Sequence, residues 1–181
     1  MPRPTRLIAL ALVTVVAVGL VAAGCGSKPK SAAEWADGFC SAVTTWKTSL
    51  TSSRDSLTGG NLSKDSLETA AGDVKSATDT FESDLKDLGK PNIQAGQQAK
   101  DLTDQLSSDL KTGTDSIKSA ADDISGIAST GTAAASIGTT LATMLNQVSS
   151  TFTSLKQLEP KSELQTAFQQ SSACKQLSSS S

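Results

Sequence analysis

The sequence contains no histidine in its 181 residues. Histidine is the commonest general base in enzymes and a frequent metal ligand, so its absence removes both uses at once. The chain also lacks a G-x-S-x-G elbow, a P-loop, an EF-hand spacing and a dinucleotide-binding fingerprint. Acidic residues such as Asp122 and Asp123 stand near lysines, which is typical of solvated helix faces. We therefore expect no enzyme, no bound metal and no cofactor.

Aromatic residues are scarce, with two Trp, four Phe and no Tyr in the chain. Much of the apolar remainder is alanine, which buries little area per residue. The core must therefore consist of thin stripes of Leu, Ile, Val and Ala, and we expect a modest stability for a single small domain.

Clustered basic residues are absent as well, because the lysines are scattered among aspartates and the formal net charge is −2. Removing Arg3 and Arg6, the only charges of the first 24 residues, leaves −4 for the remainder. Nucleic-acid binding requires clustered Lys and Arg to neutralise phosphates, so we expect no nucleic-acid partner.

The N-terminus does carry a long apolar run. After MPRPTR, residues 7–23 contain a single polar side chain, Thr14, and lead through small residues to Cys25. A cationic start, an apolar run and a small-residue exit are typical of a secretory signal. An uncleaved signal anchor and an ordinary signal peptide remain alternatives. Even an anchor would leave everything after residue 25 outside, because Arg3 and Arg6 hold the N-terminus inside.

The segment Ala22-Ala23-Gly24-Cys25 resembles the lipobox of bacterial lipoproteins. Gly24 and Cys25 fit that pattern, whereas Ala22 stands where the family usually has Leu or Val. The resemblance implies cleavage before Cys25, a diacylglyceryl thioether on its sulfur and, in many bacteria, an amide-linked acyl chain. Two long chains suffice for stable anchoring. It thus predicts a signal peptide over 1–24, a lipidated cysteine and tether over 25–30, and a location on the outer face of the bacterial cytoplasmic membrane.

If Cys25 is lipidated, Cys40 and Cys174 are the only pair left. Export would place them where disulfides persist, so we predict a bond between them that closes nearly the whole domain. Metal ligation and redox catalysis are the alternatives. Two cysteines without histidine make a poor zinc site, and no C-x-x-C is present.

Apolar residues of the exported part recur at spacings of three and four, which predicts helices. We expect an all-α, antiparallel bundle of four or five helices over 31–177, followed by a disordered tail over 178–181. The predicted helices cover about 31–57, 63–88 with Ser63 as N-cap, 92–128 with Gly113 as a weak point, a fourth from the break at 129–132 to Pro160, and 162–177.

One aromatic stripe, formed by Trp35, Phe39 and Trp46, allows two interpretations. The three side chains either pack in the core of the first helix or line a partly open apolar groove for a lipid or hydrophobic partner.

As a whole, the chain is similar to small actinobacterial membrane lipoproteins, with a lipobox, a Ser/Thr/Ala/Gly-rich helical domain and a W-x3-F-C start paired with a late cysteine. The resemblance implies a location rather than an activity. We expect a non-catalytic interaction or scaffold module that meets an envelope protein. A helical carrier for a lipid or another small apolar ligand is the alternative.

Overall fold

A computed structural model describes residues 29–58, 62–158 and 163–179. These ranges contain six α-helices and no strand, which confirms the predicted all-α bundle. The helices are α1 (Ala32–Thr58), α2 (Lys64–Leu88), α3 (Gly96–Asp122), α4 (Ile127–Gln157), α5 (Glu163–Gln170) and α6 (Ser172–Ser179).

The starts of α1 and α2 are both fixed by capping boxes. Ser63 caps α2 as predicted, because its hydroxyl accepts from the Ser66 amide while Ser66 Oγ accepts from the Ser63 amide. At α1, Glu34 Oε2 accepts from the Ser31 amide, and the Glu34 amide donates to Ser31 Oγ. Each box satisfies amides that the first helical turn leaves without partners.

The end of α2 falls at Leu88, where the sequence predicts it. Gly89 has φ 61°, a left-handed conformation that favours glycine, and its amide donates to Leu85 O. Residues 92–95 then form a turn, and α3 begins at Gly96 instead of Asn92. A Cβ on Gly96 would lie 2.2 Å from Pro91 O, so this turn requires glycine.

The predicted break between the third and fourth helices is wrong. Residues 129–132 lie inside α4, and the chain turns at 123–126. The reason is a local cap: the amides of Ser125 and Gly126 both donate to Ser129 Oγ. Ser129 thus lies in the first turn of α4, where its hydroxyl caps the start of the helix, and is not part of a break before it.

The predicted helix over 162–177 is divided into α5 and α6 at Ser171. The hydroxyl of Ser171 accepts from the Cys174 amide and thereby caps α6. α6 also continues through Ser178 and Ser179, which belong to the tail predicted to be disordered. Residues 162, 180 and 181 lie outside the described part of the chain.

The four long helices run antiparallel to their neighbours in sequence. Trp46 on α1 contacts Phe81 on α2, Thr78 on α2 contacts Thr114 on α3, and Met144 on α4 packs against Gly113 on α3. The helix continues through Gly113, where a Cβ would lie 2.7 Å from Met144 Cγ. The two short helices pack against α1.

Candidate functional site

The two predicted cysteines meet at one end of the bundle. Cys40 Sγ and Cys174 Sγ lie 2.04 Å apart, at disulfide distance, and join α1 to α6 across 134 residues of sequence. Both residues are buried. The pair therefore forms part of the core and presents no accessible thiol.

A hydrogen-bond network between α1 and α6 lies next to this pair. Ser171 Oγ donates to Asp37 Oδ1 at 2.7 Å and accepts from the Cys174 amide at 3.2 Å. Ser171 thus fixes both the start of α6 and its contact with α1. The sequence alone marks neither residue, because a serine in a Ser/Ala/Gln-rich helix carries no distinctive signal.

Four aromatic rings form a cluster beside the disulfide. Phe168 on α5 makes edge contacts with Trp35, Phe39 and Phe152, at centroid distances of 6.4, 6.2 and 5.2 Å. Such edge-to-face pairs contribute beyond their buried area. The cluster joins α1, α4 and α5 at the same end as the disulfide.

The predicted aromatic stripe belongs to the core. Trp35 and Phe39 are 0% exposed and Trp46 is 1% exposed. Rings from α2, α4 and α5 pack against these side chains, so Trp35 and Phe39 belong to the core and are not the lining of an open groove. Trp46 is also packed in the core, but it contributes to the lining of two surface clefts.

The first cleft is an apolar groove between α1, α4 and α6. It has a volume of about 530 Å³. Six apolar and four polar side chains line it: Val43, Trp46, Leu145, Val148, Phe152 and Leu177, with Lys47, Asn146, Ser149 and Thr153. A groove of this kind can accept an apolar chain or side chain from outside without opening the core.

The second cleft, between α1 and α2, has a volume of about 510 Å³ and a polar wall that includes Asp73 and Asp84. Its hydroxyls mostly bond to the backbone of their own helix: Thr48 donates to Thr44 O, Ser49 to Thr45 O and Thr80 to Ser76 O. A bond from a hydroxyl to the carbonyl four residues earlier is common for Ser and Thr within a helix.

The long helix α4 carries far fewer charged side chains than α2 and α3. α4 has 31 residues and one charged side chain, Lys156. By contrast, α2 has seven acids and three lysines in 25 residues, and α3 has five acids and three lysines in 27. Along the exposed side of α4 lie Gly131, Ala135, Gly138 and Ala142, and nothing lies within 4 Å of a Cβ built on either glycine.

Local contacts account for each side chain whose pKa is shifted from its ordinary value. The Ser31 hydroxyl and amide lower the pKa of Glu34. A hydrogen bond to Asp79 raises the pKa of Lys75, and a hydrogen bond to Asp122 raises the pKa of Lys118. Each pair lies on the exposed face of a single helix. Burial raises the pKa of Glu82, against the opposing effect of Lys111.

Within 29–58, 62–158 and 163–179, no group of three or more His, Cys, Asp or Glu residues could hold a metal ion. None of the helices in those ranges is long and apolar enough to cross a membrane. Cys25 and the apolar run before it lie outside the described residues.

Comparison with protein-family models, with curated proteins and with solved structures finds no match to this chain.

Proposed function

We propose that the chain is an exported, non-catalytic interaction module of the bacterial cell envelope, held on the outer face of the cytoplasmic membrane by lipid on Cys25. The cysteine geometry carries the proposal. Cys40 and Cys174 pair with each other, which leaves Cys25 as the odd thiol at the end of a small-residue patch. Disulfides persist in oxidising compartments, and lipidation is a use of the third cysteine that fits export.

The uncharged face of α4 supports the interaction role. Gly131 and Gly138 each cost roughly 1 kcal/mol relative to alanine in a helix interior, yet no contact within the described chain requires a missing side chain at either position. Small residues let a second backbone approach closely. The partner that fits is a helix of another envelope protein with an uncharged face of its own.

Lipidation is tested with Cys25→Ala in the producing bacterium. The variant should lose incorporation of labelled palmitate and leave the membrane fraction, whereas Ser27→Ala, two residues away in the tether, should keep both. A Cys25→Ala protein that stays membrane-bound in high salt at full precursor length would favour the signal anchor instead.

The interaction role is tested by photo-crosslinking in intact cells from the exposed position 139 on α4, with the exposed position 116 on α3 as control. A single adduct of defined mass from position 139, lost in Gly138→Glu, is the expected result. Equal labelling from both positions would contradict the α4 interface.

The groove between α1, α4 and α6 favours a second candidate, a carrier for a lipid or small apolar ligand. Its volume of about 530 Å³ and its apolar wall fit an acyl chain better than a polar metabolite. Mass spectrometry of lipid extracts from the Cys25→Ala protein, released from the membrane, separates the two candidates. A stoichiometric ligand that Ser149→Phe excludes would establish the carrier, and an empty protein would leave the interaction module.

A further inference from the structure

The first described residues are fastened to one end of the bundle. Lys30 O accepts from the Asn92 amide, and Lys30 Nζ donates to Asp87 O, both at 2.8 Å. Trp35 Nε1 adds a bond of 2.9 Å to Gly89 O. The chain therefore enters the domain at the connection between α2 and α3 and not along a side of the bundle.

The distance from Cys25 to this end is short. Five residue steps separate Cys25 from Lys30, so even a fully extended tether spans at most about 18 Å. The 27 residues of α1 extend about 40 Å in the opposite direction. The turn at 123–126, which shares a cleft with Leu62 and Ser63, lies at that far end.

Both signs of charge occur at this end, since the acids Glu34 and Asp87 are exposed close to its lysines. Lys86 and Lys90 are exposed here beside Lys30, and Lys156 lies on the same end of α4, over the Phe152 ring. The long faces of α2 and α3 carry an excess of acids. Anionic headgroups attract lysines and repel those acidic faces.

We propose that the tether end, defined as Lys30, Lys86 and residues 89–95, faces the bilayer and rests on its anionic headgroups, with the four long helices upright. This orientation rests on the proposed lipidation of Cys25. It places the turn at 123–126 and the side chain of Leu62, which is 45% exposed, roughly 40 Å from the membrane, where a partner can reach them.

Fluorescent probes at the two ends test the orientation. Asn92→Cys and Ser125→Cys are exposed positions that can be labelled in the full, lipidated protein without reduction, since Cys40 and Cys174 are paired. Each protein is reconstituted in vesicles of phosphatidylcholine and phosphatidylglycerol that contain a headgroup-attached, short-range quencher. The probe at 92 should be quenched several-fold more than the probe at 125.

Flotation of the vesicles before quenching separates the two proposals. Protein that does not float with the vesicles contradicts lipid anchoring and therefore also the proposed orientation, which depends on the anchor. Protein that floats but shows equal quenching at both positions lies flat, and protein that shows none at either position stands off the surface; either result overturns the orientation alone.

The role of charge is tested in the same vesicles with Lys86→Gln and Lys90→Gln combined. This variant should reduce quenching at position 92 by a clear fraction, while Lys111→Gln on the side of α3 should leave it unchanged. Equal effects of the two variants would show that the lysines at the tether end do not orient the domain.

Discussion

At the scale of single residues, the interior contains a short polar chain among apolar side chains. Trp46 Nε1 donates to Thr78 Oγ1, and Thr114 Oγ1 donates to the same oxygen, each at 3.2 Å. The three residues are at most 5% exposed and come from α1, α2 and α3. One hydroxyl thus serves as acceptor for two neighbouring helices.

Thr78→Val should destabilise the protein by about 1–3 kcal/mol, because it leaves the buried indole N–H of Trp46 without a partner. Thr114→Val should cost less, since Thr78 would still accept from Trp46. Urea unfolding followed by circular dichroism measures both values.

Thr80→Val is the control for the hydroxyl-to-methyl exchange itself, because Thr80 is exposed on the same helix. It should change the free energy of unfolding by no more than about 0.5 kcal/mol. A Thr78→Val protein as stable as the wild type would mean that Trp46 finds another acceptor.

At the scale of the elements, helix starts depend on hydroxyl and carboxylate caps. Glu34 is the charged example, since its carboxylate accepts from both the hydroxyl and the amide of Ser31, at 2.7 and 2.9 Å. It also stands in the first turn of α1, where negative charge suits the helix dipole.

The cap predicts a pH dependence for the start of α1. The Ser31 contacts lower the pKa of Glu34 from its usual 4.5, so the folded state binds the proton less tightly than the unfolded chain. The stabilisation is therefore complete above the usual pKa and is lost as the pH falls through the lower folded value. Glu34→Gln should be less stable than the wild type at pH 7, and the difference should shrink below pH 4.5.

Chemical unfolding of the wild type and Glu34→Gln across pH 2–7 provides the measurement. A difference that stays constant through the acid range would show that the cap acts as a neutral hydrogen bond without a contribution from charge.

Helix boundaries show how much of the fold can be read from the sequence. Ser63 and Gly89 mark ends of α2 that the sequence predicts, because a cap residue and a glycine before Pro91 act locally. The turn at 123–126 could not be placed, since Ser125-Gly126 and Thr130-Gly131 offer the same signal and only the Ser129 contacts distinguish them. At Ser171 the cap on the Cys174 amide is local, whereas the bond from its hydroxyl to Asp37 joins residues far apart in sequence.

Buried threonines mark a second limit. The apolar spacing of α2 predicts Ala77 on the core face, but Thr78 is 1% exposed and Ala77 is only partly buried. Thr114 likewise fills the gap between Leu110 and Ile117 in the stripe of α3. Burying a threonine costs free energy unless its hydroxyl has a hydrogen-bond partner, which for Thr78 is Trp46. The sequence does not show that partner.

At the scale of the whole molecule, the bond between Cys40 and Cys174 ties α6 to α1 beside the aromatic cluster. The cluster supplies area burial at that end, and the bond restricts the unfolded chain over almost the entire domain. In the chain-entropy model a closed loop of this length contributes up to about 5 kcal/mol.

Removing the bond should therefore lower the thermal midpoint strongly. Cys40→Ala combined with Cys174→Ala avoids burying a hydroxyl, and it should lower the midpoint by up to about 10–20 °C, at about 2–4 °C per kcal/mol for a domain of this size. Thermal scans by circular dichroism measure the shift, and both proteins should be strongly helical while folded.

Cys25→Ala is the matched control in these scans, because it removes a cysteine outside the domain and should leave the midpoint unchanged. A double variant with the same thermal midpoint as the wild type would mean that packing alone holds α5 and α6 on α1.

The intact mass of the protein extracted from bacterial membranes tests lipid anchoring and the paired cysteines together, because one spectrum reports cleavage, lipid and disulfide. We predict the mass of residues 25–181 plus a diacylglyceryl group, with or without a further acyl chain, and a gain of two hydrogens on reduction. The mass of the full 181-residue chain, or of an unacylated chain whose mass does not change on reduction, would contradict it.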